Sequence, residues 1–180
     1  MTRTILASMF SKHWNDITLT DLEQLVELGQ QESPRIDFKR EVVFNQNNEK
    51  REFLRDVTSF ANSHGGFIVI GIEEEEGVAT AMPGVTLVDV DKYKLQLEQI
   101  VRDNIEPKLF GVMVRSFQLT SGNHVIVVFI PRSSRPPHRG QSDQIFMRGS
   151  TGKYPLTVDQ LREVFSQGEG RQRFTRFSFS

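Results

Sequence analysis

The stretch from Asn47 to Ile72 constrains the fold more than any other part of the chain. Phe53, Leu54, Val57, Phe60 and Ala61 fall at i, i+1, i+4, i+7 and i+8, one apolar stripe on the roughly 3.6-residue period of an α-helix. Gly65-Gly66 closes that helix, and the run Phe67-Ile68-Val69-Ile70-Gly71-Ile72 follows at once. A continuous β-branched run of this kind suits a strand covered on both faces, so it is expected in the middle of a sheet. A one-sided helix beside an all-apolar strand leaves water most readily by packing onto that strand, which predicts a layered α/β arrangement.

The rest of the chain alternates helix and strand signals around this unit. Thr18-Leu19-Thr20-Asp21 reads as a cap opening a short helix with Leu22, Leu25, Val26 and Leu28, ending near Gly29. Arg35–Lys39 reads as a strand. Val78 to Met82 reads as another, closed by Pro83-Gly84, and Asp89 or Asp91 caps a helix carrying Tyr93, Leu95, Leu97, Ile100 and Val101. Val112–Leu119 and His124–Ile130 flank Thr120-Ser121-Gly122-Asn123, a turn of hairpin type. Gln144–Arg148 is an expected strand and Thr157–Phe165 an expected helix. The pattern predicts a mixed α/β (α+β) fold with a central mixed β-sheet flanked by helices. The expected organisation is an N-terminal extension over 1–17, one domain over 18–167, and a basic tail or linker over 168–180, where Arg alternates with Phe without a helical period.

Composition narrows the function classes. With 180 residues, 37% hydrophobic and 25% charged, the chain is long enough for one well-packed domain. It has no cysteine, and its four histidines lack paired metal-ligand spacing, which excludes a disulfide framework and a thiolate zinc site. The apolar patch Ile5 to Phe10 meets Lys12 and His13 at once and is too short for a signal-peptide core. No segment approaches the roughly 20 apolar residues of a membrane span. The expectation is therefore a cytoplasmic protein that does not enter a membrane.

Charge is distributed unevenly. The net charge is −1, yet Pro131 to Ser180 holds nine Lys or Arg against four acids, a local +5 that leaves −6 on the first 130 residues. Arg132, Arg135, His138 and Arg139 occupy a Pro-rich loop, Arg148 a strand, and Lys153 the segment after it. These residues suit phosphate-backbone contact, which needs positive charge along a surface and no fixed motif; they suit equally a loop kept soluble by charge. Gly149-Ser150-Thr151-Gly152-Lys153 is not a nucleotide-binding P-loop, because Met147 stands where the first glycine is needed and Tyr154 where Ser or Thr must follow the lysine.

The segment Glu32-Ser33-Pro34-Arg35-Ile36-Asp37-Phe38-Lys39 carries the chemistry. In a strand Ile36 and Phe38 share one face while Arg35, Asp37 and Lys39 share the other. A carboxylate beside an ammonium on a rigid element suits phosphodiester chemistry, the carboxylate holding a divalent cation and the lysine facing phosphate. The same residues also suit plain ion pairs of Glu32 and Asp37 with Arg35 or Lys39. Asn62-Ser63-His64-Gly65-Gly66 reads as a helix C-cap with Gly65 left-handed. The Glu73–Glu76 run reads either as a solvated turn or as a cluster that a cation relieves.

Several of these pieces together resemble the Schlafen AlbA-like domain family: Glu32-x4-Asp37-Phe38-Lys39, Phe60-Ala61-Asn62-x2-Gly65-Gly66, Ile70-Gly71-Ile72-Glu73-Glu74, Pro136-Pro137-His138 and Ile145-Phe146-Met147-Arg148-Gly149-Ser150. The likeness runs over roughly Leu22 to Phe165. Family members include DNA-binding or transcriptional regulators in prokaryotes and vertebrate Schlafens that cut tRNA and rRNA with a metal-bound three-carboxylate site. The resemblance implies a nucleic-acid-binding domain. It further implies a Mg²⁺- or Mn²⁺-dependent endoribonuclease acting on structured RNA such as tRNA, with Glu32, Asp37 and Glu74 as metal ligands and Lys39 stabilising developing charge. The alternatives are a non-catalytic DNA- or RNA-binding regulatory module, and a partner-binding domain of a larger protein or homo-oligomer that pairs through a strand edge or its N-terminal segment.

Overall fold

Helix α2 (Asn47–Ala61) lays Phe53, Leu54, Val57 and Phe60 on strand β2 (Gly66–Ile70), whose residues are all buried. This is the packing that the stripe and the apolar run predict. The computed structural model describes residues 12–45 and 47–176, with side chains through residue 167. The expected apolar patch Ile5–Phe10 lies outside the described residues.

A four-stranded sheet forms the centre, in the order β1-β2-β6-β5. Strand β1 (Ile36–Lys39) pairs parallel with β2, and β2 pairs antiparallel with β6 (His124–Ile130). The partner of β6 on its far side is β5 (Met113–Gln118), also antiparallel. The sheet is therefore mixed, as expected.

Its two faces are covered differently. Ile68, Ile70, Ile126, Val128 and Ile130 face α2 and helix α3 (Val90–Asn104), which contributes Tyr93, Leu97 and Val101. Ile36, Phe38, Phe67, Val69, Val125 and Val127 face helix α1 (Leu19–Glu27), with Leu22 and Leu25, and the short turn Trp14–Asp16. Each fully buried Leu, Ile or Phe contributes about 1.5–3 kcal/mol of transfer free energy. The register Ile36↔Phe67 and Asp37↔Ile68 puts Asp37 and Lys39 on the α2 side, opposite Ile36 and Phe38.

Two small hairpins complete the fold, and each contains a strand that the sequence pattern does not announce. The acidic run forms β3 (Glu73–Glu75), paired with β4 (Val78–Ala81). It lacks any apolar residue, so only its partner makes it a strand. Strand β7 (Phe146–Gly149) pairs with β8 (Gly152–Pro155), and Gly149↔Gly152 closes a hairpin around Ser150 and Thr151. The glycine-rich segment is thus a hairpin turn. The last helix, α4, spans Val158–Arg176, beyond the expected end at Phe165. It passes through Gly168 and Gly170, residues that weaken a helix by about 1 kcal/mol each, which is why the pattern stops it early.

Among the described residues no helix is long and apolar enough to cross a membrane.

Candidate functional site

Six charged side chains meet where β1, α2 and the β7–β8 hairpin come together. Asp37 and Lys39 come from β1, Glu52 and Asp56 from α2, Arg148 from β7 and Lys153 from β8. The Lys39 ammonium bridges Asp37 Oδ2 at 3.2 Å and Asp56 Oδ2 at 2.6 Å. Arg148 Nη2 donates to Asp37 Oδ1, and its Nη1 stands 3.6 Å from Asp56 Oδ1. Lys153 binds Asp56 Oδ1 at 2.7 Å and also Glu52. Asp37 is 7% exposed, Asp56 1% and Arg148 6%. Three cations therefore face three carboxylates, with Asp37, Asp56 and Arg148 buried and Glu52 and Lys153 reaching toward the surface.

The electrostatics follow from that geometry. Burial alone raises the pKa of Asp37, but Lys39 and Arg148 beside it outweigh burial and hold it below the ordinary carboxylate value. Burial likewise opposes the charge on Lys39, yet Asp56 and Asp37 push its pKa well above that of a free lysine. Burial raises Glu52 and the Lys153 contact lowers it, with a net lowering. The Arg148 guanidinium lies 4.1 Å over the Phe60 ring, and its Nε has no hydrogen-bond partner among the described residues. Cation–π contact takes the place of one hydrogen bond there.

Glu32 and Glu74 lie on the other side of β1. Glu32 Oε1 accepts the Phe38 amide at 2.8 Å, closing the free edge of β1, while the Glu32 amide donates to the Gly77 carbonyl at 2.7 Å. Glu74 Oε2 accepts the Gly77 amide at 2.5 Å. Gly77 thus holds the Glu74 carboxylate and the Glu32 backbone, and a Cβ on it would stand 3.6 Å from Glu32 Oε2, so the two carboxylates lie near the same turn. Burial, then the charges of Asp37 and Glu74, raise the pKa of Glu32; the Phe38 amide and the charge of Arg148 lower it but do not reverse the rise.

Of the three carboxylates expected as metal ligands, Glu32 is close enough to feel the charges of both Asp37 and Glu74. Both oxygens of Asp37 are nevertheless engaged by Arg148 and Lys39. Among the described residues no three His, Cys, Asp or Glu stand close enough together to hold a metal ion. In this arrangement Glu32, Asp37 and Glu74 do not fit Mg²⁺ or Mn²⁺ as a set, and Lys39 serves Asp37 and Asp56.

The residues named for nucleic-acid contact divide into three groups. Arg148 is buried as described, and Lys153 is tied to α2. His138 is 2% exposed: its Nδ1 meets the Pro107 carbonyl at 2.7 Å and its Nε2 the Ser133 hydroxyl at 2.6 Å. A carbonyl accepts only, so Nδ1 carries the proton and Nε2 accepts from Ser133. Burial lowers the pKa of His138 and keeps it neutral. His138, Arg148 and Lys153 hold the fold together in this structure and leave no free charge for phosphate.

Arg132, Arg135 and Arg139 are exposed. Arg139 points to the α3 end, 3.5 Å from Glu106. Arg132 and Arg135 lie at the end of the sheet where β1 and β2 begin and β6 ends. Gly65 explains why they sit there: with φ of 67°, it places a would-be Cβ 2.6 Å from the Arg132 amide nitrogen and 2.7 Å from the Ile130 carbonyl, so only glycine fits. The loop is pinned further by the Ser133 amide donating to the Ala61 carbonyl at 2.8 Å. Arg35, whose Nη2 donates to the His64 carbonyl at 3.4 Å, joins the same end.

Asp56 escapes the sequence reading, which takes Asn62 and Ser63 only as parts of a helix cap and a family signature. Asn62 Nδ2 donates to the His138 and Phe146 carbonyls at 2.8 and 2.9 Å, and its Oδ1 accepts the His138 amide at 2.7 Å. Ser63 Oγ accepts the Arg148 amide at 2.8 Å. These residues stitch the Pro-rich loop and β7 to the helix end, a role beyond a helix cap. The available signal was Asp56 itself: it stands three residues after Phe53 and four before Phe60, so a carboxylate on the apolar face of α2 required buried partners.

Solved structures share this fold, among them the following two. One is the DIP2311 protein from Corynebacterium diphtheriae, 18% identical, with a TM-score of 0.51 over 75% of this chain and 25% of that one. The other is the N-terminal domain of a RecG-related protein from Nitrosomonas europaea, named for an ATP-dependent DNA helicase, 22% identical, with a TM-score of 0.54 over 80% of this chain and 92% of that one. The chain thus spans a quarter of the first and nearly all of the second. No curated protein sequence matches it significantly. The family described as Schlafen, AlbA_2 matches residues 32–157, a span that contains β1, the charge network, Asn62, the Pro-rich loop and both hairpins. The chain belongs to the Schlafen AlbA_2 family.

Proposed function

We propose that this domain binds nucleic acid through the basic end of its sheet. The observation that carries the reading is the convergence of exposed Arg35, Arg132 and Arg135 around the Gly65 turn. Guanidinium groups on a rigid turn suit phosphate oxygens, which need positive charge and donors but no sequence code. The family, and the DNA-helicase name of one protein sharing the fold, agree with a polyanionic partner. The charge network has a supporting part, since it fixes β1, α2 and the β7–β8 hairpin beneath that end.

Binding to a single strand weakens with salt at a log–log slope of about −0.7 for each phosphate neutralised. Replacing Arg35, Arg132 and Arg135 by Ala is expected to weaken RNA and single-stranded DNA binding and to flatten that slope by about two units. An unchanged slope in this variant, folded as the parent, removes the sheet end from the interface.

A finer reading is Mg²⁺- or Mn²⁺-dependent cleavage of structured RNA such as tRNA. The meeting of Glu32 and Glu74 at Gly77 favours it. It requires Asp37 to leave Lys39 and Arg148. Paramagnetic broadening by Mn²⁺ of signals from 32–39 and 73–77, lost in Glu74→Gln, together with EDTA-sensitive cleavage, is the expected result. A parent protein that binds tRNA yet shows neither effect overturns this finer reading and leaves the binding reading standing.

A further inference from the structure

A second polar cleft lies away from the sheet end, between α2, the C-terminal end of α3 and residues 139–143, with a volume of about 530 Å³. Its walls are fixed by backbone contacts. Glu106 and Arg139 exchange amide–carbonyl bonds at 2.9 and 2.7 Å, and Gln141 Nε2 donates to Asn104 Oδ1 at 2.5 Å. Gly140 presses onto α2 so closely that a Cβ there would stand 2.9 Å from Leu54 Cβ. Arg51 and Arg55, one helical turn apart on α2, flank that contact and both line the cleft.

We propose that this cleft takes one phosphate-bearing nucleotide, at a strand end or free in solution. Arg51 has no ion pair among the described residues; Arg55 Nη1 stands 3.5 Å from Glu52 Oε2 and its guanidinium lies 5.4 Å over the Phe146 ring, while its Nε is buried without a hydrogen-bond partner. One wall thus offers the unpaired Arg51 guanidinium and, beside it, an Arg55 fork engaged by Glu52 through Nη1 alone, and guanidinium forks match the oxygens of a phosphate. The volume falls within the range of small-ligand sites and suits one nucleotide better than a duplex backbone. The lining has both signs of charge: Glu106 is met by Arg139 and Asp103 by Arg102, Asn104 is held by Gln141 and the Ile100 carbonyl, and Asp143 and the Gln141 side-chain oxygen are left to accept from ribose hydroxyls or a base edge. A hydrophilic ligand with one anionic end matches this division. The proposal concerns a surface distinct from the sheet end, so either one fails without the other.

The test is calorimetric titration of the whole chain with AMP, adenosine and inorganic phosphate, and with one trinucleotide bearing either a 5′-phosphate or a 5′-hydroxyl. AMP is expected to bind at one site and adenosine far more weakly. Arg51→Ala with Arg55→Ala is expected to weaken AMP by about tenfold or more, the loss of at least one charge-assisted hydrogen bond. Arg132→Ala with Arg135→Ala is expected to leave AMP binding unchanged. If the double variant at α2 melts early, Arg51→Glu alone, at an exposed helix position, carries the same expectation. Tighter binding of the 5′-phosphorylated trinucleotide than of AMP assigns the site to strand ends, and equal binding assigns it to free nucleotides. Adenosine binding as well as AMP overturns the proposal. So does the absence of saturable AMP binding together with no preference for the phosphorylated trinucleotide. Equal weakening of long 5′-hydroxyl RNA by the α2 and sheet-end variants also overturns it, because the cleft would then be one stretch of a general groove.

Discussion

Strand β1 has a carboxylate environment on each side, and the two are built on opposite principles. On the α2 side Asp37 and Asp56 are buried among Lys39, Arg148 and Lys153, and the cations keep Asp37 ionised below its ordinary pKa. On the open edge Glu32 and Glu74 share the Gly77 backbone and make no ion pair among the described residues, and burial with like charge pushes the Glu32 pKa up against the weaker pull of Arg148. The difference shows that burial does not decide what a carboxylate is for; its company does. A buried carboxylate with cations is a joint, whereas one with carboxylates is held closer to its protonated form.

The sharpest way to break this comparison is Asp56→Ala. It removes the carboxylate that touches all three cations and leaves Lys39 and Arg148 buried with Asp37 as their one shared carboxylate. The expected cost is about 3–5 kcal/mol, the range for breaking a buried ion pair by deleting one member, read from urea denaturation. A cost within the ~0.5 kcal/mol scatter of ordinary surface substitutions would mean that the network is solvated and the contrast false.

Acid titration of stability separates the two carboxylates by sign. The pKa of Asp37 is depressed on folding, so its contribution is fully present above the unfolded value of about 3.9 and is lost as pH falls through the folded value. The pKa of Glu32 is raised, so its contribution is fully present below the ordinary 4.5 and is lost as pH rises through the folded value. Asp37→Asn is therefore expected to remove part of the parent's acid sensitivity, and Glu32→Gln part of its loss of stability on the way to neutral pH. Denaturation midpoints measured across the acid range check both, and the same sign for both variants would overturn the assignment.

The smallest effect is expected from Glu32→Gln at neutral pH. Glutamine keeps the carbonyl oxygen that accepts the Phe38 amide and removes a charge held against Asp37 and Glu74. Stability is expected to change by less than about 1 kcal/mol, in the favourable direction. A loss as large as that of Asp56→Ala would show that the edge carboxylate is also a joint.

The α2 stripe, the β2 run, the mixed sheet and the alternation of Asp37 with Phe38 were legible because they rest on periodicity, and periodicity is local. The order of Glu32, Asp37-Phe38-Lys39, Asn62 and Arg148 was likewise enough to point to the family. What the sequence could not set was which charges would meet. Arg148 and Asp37 are 111 residues apart, and an arginine on a short strand has the same local pattern whether it faces water or a buried aspartate. His138 and Lys153 read as free cations for the same reason, until the Pro-rich loop and the β7–β8 hairpin closed onto α2. Strand β3 and the Gly149–Gly152 turn were invisible because pairing partners, not propensity, make them. By itself the sequence determined the elements and the faces they bury, since these follow from solvent aversion along one chain. Only the tertiary structure decided which charged residues became joints and which stayed available, because Coulomb interactions depend on distances between segments that the chain brings together last.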